Sequence, residues 1–154
     1  MKKIFLVLLL LGQFISSTAQ TCAEREEKLL GMAGAFSAGY LLNTYSVIGS
    51  IADGFAKDAY SSSTVVDIMN QQKQLADNIT DVIQKMISGK FFKDEADVTY
   101  MKECLQLIKG LKAQAQYLRE YAETSKEEKR EAYSTQRNKN WKGISKLMGI
   151  EEEE

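Results

Sequence analysis

The chain contains no proline and no histidine. Loops, turns and strand edges usually draw on proline, whose fixed φ and missing N–H suit them, so its absence favours long helices joined by few turns. The lack of histidine removes the imidazole of Ser-His-Asp and Cys-His catalytic sites. It also removes the attachment motif of covalent haem and the Glu-x-x-His pairs of di-iron bundles. The two cysteines would need carboxylates beside them to hold zinc, an unusual donor set. Neither a Gly-x-x-x-x-Gly-Lys-Ser/Thr nor a Gly-x-Gly-x-x-Gly phosphate cradle occurs. No catalytic residue, no cofactor and no metal is therefore expected. Asp and Glu remain for acid-base work, but no pair stands out from ordinary surface charge, so the expected class is not an enzyme.

An excess of either charge is also lacking. The net charge is −1 over 154 residues, too mild to mark a nucleic-acid partner. Apolar residues make up 44% of the chain, an ordinary balance for one globular domain with its own core.

What is present begins with an address. Lys2 and Lys3 precede the apolar run Ile4 to Leu11, and Ser16-Ser17-Thr18-Ala19 closes the segment with small residues. A positive start, a short apolar middle and a small-residue end read as a secretory signal peptide over residues 1–19, and the run is too short to span a bilayer. Export from a bacterial cytoplasm to the periplasm or beyond is the expectation. Cys22 follows Ala19-Gln20-Thr21, which lacks a leucine at the third position back and a Gly, Ala or Ser directly before the cysteine, so an outer-membrane lipoprotein is the less favoured form.

Residues 20–150 read as a single all-α domain, an up-and-down bundle of three to four long antiparallel helices. A first helix is expected from about Ala23 to Ala59, with room for a break near Gly49 or Gly54. Ser61-Ser62-Ser63 reads as a loop, and Thr64 with Asp67 resembles a capping box that opens a second helix. Val65, Ile68, Gln72, Leu75, Ile79, Val82 and Met86 then alternate spacings of three and four, a coiled-coil-like core stripe, which Ser88-Gly89 ends. A third helix starts near Asp94 and carries Met101, Cys104, Ile108, Leu111, Ala115, Leu118 and Ala122 at the same spacing. Ser125 to Glu128 forms a second capping box that opens a fourth helix, unless the third continues through it. Glu151 to Glu154 is expected to be a disordered acidic tail.

Three features could carry function. Leu29 to Ala52 holds no charged residue; it fits a buried bundle helix better than a membrane-inserting hairpin, because its serines, threonine and asparagine suit lipid poorly. Within it Gly31, Ala35 and Gly39, four apart, form a small-residue face that allows close helix packing. Cys22 and Cys104 could pair after export, closing a long loop. Finally, Arg137, Lys139, Trp141 and Lys142 place cations around an indole, a candidate partner or surface contact.

The expected function is that of an exported, non-enzymatic interaction or accessory subunit of a bacterial envelope assembly, of secretion or conjugation type, with a protein partner. The heptad-like stripes suit a homo-oligomer equally well. The alternatives are a periplasmic ligand-binding or sensing bundle, and a membrane-active protein that inserts Leu29 to Ala52.

Overall fold

A computed structural model describes the backbone of residues 2–150 and the side chains of residues 24–150. It contains four α-helices: α1 (Lys2–Ala56), α2 (Ser62–Ser88), α3 (Glu95–Thr124) and α4 (Glu127–Met148). The chain divides into two units, Met1–Ser37 and Ala38–Glu154. The side chains of the expected signal peptide, and the expected acidic tail, lie outside the described residues.

In the first unit, α1 is helical through Ser37, and the side chains described there point largely to solvent. The second unit is the bundle. It is an all-α packing in which α2 lies on α3 and α3 on α4. The direction of each pair follows from its contacts. Asp77 meets Lys112 at 2.5 Å, and Lys73 meets Gln116, so numbers fall on α2 as they rise on α3 and the two run antiparallel. Residues 38–56 of α1 join through Phe55, whose ring meets Tyr121 of α3 edge-on at 5.8 Å between centroids.

The third helix is the spine. All seven residues of its expected stripe are buried, together with Leu105 and Gln114. Asp94 caps its start by accepting from the Ala96 N–H at 2.8 Å. Ser125 closes it in the left-handed region at φ 53° and donates its N–H to Tyr121 O at 2.7 Å. The third and fourth helices are thus separate, and Ser125 ends α3 rather than capping α4, whose N-cap position is taken by Lys126 without a side-chain hydrogen bond.

Other boundaries also move. α1 passes Gly49 without a break and stops two residues after Gly54. The serine cluster is no loop: Ser61 caps α2 by accepting from the Thr64 N–H at 3.2 Å, so that helix starts at Ser62.

The largest correction concerns which face of α2 is buried. Val65, Met69, Ala76 and Ile83 are buried, whereas Leu75 is 44% and Val82 57% exposed. Leu75 beside Ala76 and Val82 beside Ile83 give α2 an apolar arc wide enough for two heptad registers. The register with the small Ala76 at its centre is the one that lets α3 approach closely.

Candidate interaction surfaces

Helical spacing builds the seam between α1 and α4. Tyr45, Gly49 and Asp53 recur every four residues on α1, and Arg137 and Trp141 do so on α4. Such positions stack on one face of a helix. The Tyr45 and Trp141 rings tilt together at 5.4 Å. The Arg137 guanidinium lies 6.0 Å from the Tyr45 ring centroid and 3.5 Å from Asp53 Oδ1. It also fills the space a side chain on Gly49 would need, 3.3 Å from where a Cβ would stand. A hydrogen bond with Tyr45, then nearby charge, pushes the Arg137 pKa above its ordinary value.

The four residues read in the sequence as one basic contact therefore separate. Arg137 and Trp141 are half-buried in an intramolecular seam, whereas Lys139 and Lys142 are exposed. Residues two apart on a helix point about 200° from each other, so proximity in sequence did not place these cations on one face.

Between α3 and α4 the core is polar. Gln114 is fully buried and accepts at 2.8 Å from Asn140 Nδ2, while Gln136 Nε2 donates to Asn140 Oδ1 at 2.8 Å. The Tyr133 hydroxyl and Gln114 Nε2 are buried without a hydrogen bond of good geometry. Burial raises the Tyr133 pKa, although Arg137 and Gln114 lie near enough to oppose the shift. Two glycines let the helices come this close. A Cβ on Gly110 would collide with Asn140 Oδ1, and one on Gly143 with Leu107 Cδ2. A second polar strap crosses three helices, from Lys73 on α2 through Gln116 and Glu120 on α3 to Lys129 on α4, whose Nζ sits 2.8 Å from Glu120 Oε2.

Towards the start of α3 and the end of α4 lies a half-open groove of about 430 Å³. Leu107, Leu147 and Gly143 give it apolar walls, and Tyr100, Glu103 and Lys146 bring polar groups to it. Behind Tyr100 sits Cys104, buried and free. The bridge expected between Cys22 and Cys104 is absent from the structure: Cys104 lies within the core with Tyr100 as its hydrogen-bonding neighbour, and the Cys22 side chain lies outside the described residues. Among the described residues no group of three or more His, Cys, Asp and Glu side chains could hold a metal ion.

The uncharged stretch of α1 is buried only in part. Leu41, Thr44 and Ile48 belong to the core. Upstream, Leu29 is 49%, Met32 54% and Phe36 72% exposed. Gly31, Ala35 and Gly39, expected to seat a neighbouring helix, are exposed, and nothing stands within 4 Å of a Cβ on either glycine. Among the described residues, no helix is long and apolar enough to cross a membrane.

Comparison of the chain with protein-family models, with curated proteins and with solved structures finds no match.

Proposed function

We propose that this chain is an exported, non-enzymatic helical protein that serves as an interaction or accessory subunit of a bacterial envelope assembly, of secretion or conjugation type. The observation that carries the reading is the outward face of α1. Leu29, Met32 and Phe36 follow one another at helical spacing and are each about half exposed or more. Contiguous exposed apolar side chains mark interaction surfaces. No atom stands within 4 Å of where a Cβ on Gly31 or Gly39 would be, so a partner helix could approach the backbone closely. The partner is a protein with an apolar helical face, reached after the leader Lys2 to Ala19 has directed export.

A photo-crosslinking residue at position 36 in the producing cell tests this, with the exposed position 109 of α3 as the control. The expected result is one discrete protein adduct in the envelope fraction from position 36 and none from position 109. Adducts to lipid alone would favour the membrane-active alternative, and an unprocessed cytoplasmic chain would overturn export.

The groove beside Tyr100, Glu103 and Lys146 favours a second reading, a ligand-binding bundle. Its volume falls within the range of small-molecule sites. A small molecule from envelope extracts that saturably shifts the Tyr100 ring resonances in NMR, and no longer binds Leu147→Trp, would support it.

A further inference from the structure

The packing of α2 leaves an ordered stripe only partly covered, with Leu75 and Val82 exposed and Ile68, Gln72, Ile79 and Met86 half-buried. Ile68, Gln72, Leu75, Ile79, Val82 and Met86 keep alternating spacings of four and three, the a/d geometry of a helix seam. α3 covers the adjoining face, Met69, Ala76 and Ile83, and leaves Leu75 and Val82 in solvent. The stripe rises about 27 Å along the helix. Its flank is charged unevenly: Asp67 stands at the amino-terminal end, and towards the carboxy-terminal end Lys85 and, just beyond the helix, Lys90 outnumber Asp81, all exposed. Asp67, Lys85 and Lys90 take part in no ion pair among the described residues.

We infer that this face of α2 binds the same face of a second copy of the chain, in antiparallel orientation, as a two-fold symmetric dimer. An isologous interface must be complementary to itself, and antiparallel pairing makes this one so. With the axis beside Asn78 and Ile79, Leu75 of each copy packs on Val82 of the other. Gln71 then lies by Met86, and Asp67 faces the Lys85 to Lys90 end. Each positive helix end also meets a negative one. Parallel pairing would set Asp67 against Asp67 and Lys85 against Lys85. The seam is separate from the α1 face assigned above to a different protein, so either can fail without the other.

Sedimentation equilibrium of the purified full chain tests the inference. A dimer is expected, and Val82→Glu, at a position already in solvent, yields a monomer with unchanged circular dichroism. Asp67→Lys weakens association about fivefold, the scale of an exposed ion pair, and adding Lys85→Asp and Lys90→Asp restores it. Asn78→Cys in a Cys22→Ser background forms a disulfide-linked dimer on mild oxidation, and Lys85→Cys does not. A wild-type monomer at every concentration overturns the inference. So does a dimer untouched by Val82→Glu, or efficient crosslinking through Lys85→Cys.

Discussion

Asn140 of α4 donates its side-chain N–H to the Gln114 carbonyl oxygen of α3 at 2.8 Å, with both residues sealed from solvent. A buried amide pair is direction-specific in a way that leucines are not, so it fixes how α3 and α4 meet. Asn140→Leu strands the Gln114 carbonyl oxygen and is expected to cost about 1–3 kcal/mol. Adding Gln114→Leu removes the stranded group, so the double variant should be less destabilised than the sum of the singles. Urea unfolding of the four proteins measures the coupling; strict additivity would show that the amides act independently.

Glycines at different places in this chain should respond in opposite senses. Gly110→Ala drives a methyl into Asn140 Oδ1, an atom that cannot swing away because Gln136 holds it at 2.8 Å. A loss of about 1–3 kcal/mol is expected, the usual cost of overpacking. Gly31→Ala meets nothing within 4 Å and replaces a poor helix former by the best one, worth about 1 kcal/mol locally. Helix content and thermal unfolding of the two variants separate these effects. Equal behaviour would mean that the α3–α4 approach is looser than described.

The spine of the bundle was legible in the sequence because α3 offers only one apolar stripe, Met101 to Ala122, and all of it is buried. α2 was ambiguous, since Leu75 and Ala76, and likewise Val82 and Ile83, are neighbours and either register gives a heptad. Which one faces α3 depends on side-chain size across the interface, which a single helix does not reveal. The α3–α4 seam escaped notice for a different reason. Its central residues, Gln114 and Asn140, are polar, and periodicity arguments discard polar residues from a core. The signals were Gly110 and Gly143, each inside a helix pattern, where glycine otherwise weakens the helix. The cations around Trp141 read in sequence as a partner or surface contact, whereas in the structure Arg137 and Trp141 meet Tyr45 and Asp53 of the same chain.

That seam yields a third prediction. Arg137 combines a half-exposed ion pair to Asp53 with a position over the Tyr45 ring. Such an ion pair is worth up to about 1 kcal/mol and the ring contact about 0.5–1 kcal/mol at partly exposed sites. Arg137→Ala should therefore destabilise by about 0.5–2 kcal/mol, and half a molar sodium chloride should remove only the Asp53 share. Arg137→Lys loses the planar fork and should recover less than half of the effect. Lys139→Ala and Lys142→Ala, on exposed positions, should leave the unfolding midpoint within error of wild type.

The bundle should be sensitive to alkali for a reason written into its tyrosines. Burial, then the neighbouring Cys104, pushes the Tyr100 pKa from 10.0 up to about 12. Burial likewise raises Tyr40, Tyr133 and the Cys104 thiol. Each group stays protonated in the fold at a pH where the unfolded chain has already released its proton. Below the unfolded values both states are protonated, and these groups leave stability independent of pH. As pH rises past about 9 to 10 the unfolded state gains by ionising, and stability falls until the folded values are reached. Glu120 sets the opposite edge. Hydrogen bonds from Lys129 and Gln116 hold its carboxyl below 4.5, so its contribution is present above that value and lost as pH falls through the lower folded one. The melting temperature should thus be flat through neutrality and decline on both sides, with Tyr100→Phe flattening the alkaline limb and Glu120→Gln the acid limb. Iodoacetamide at pH 8 should spare Cys104 in the folded chain and modify it in urea, because the reactive thiolate is both buried and scarce. An alkaline decline that persists unchanged in Tyr100→Phe would assign that limb to other groups.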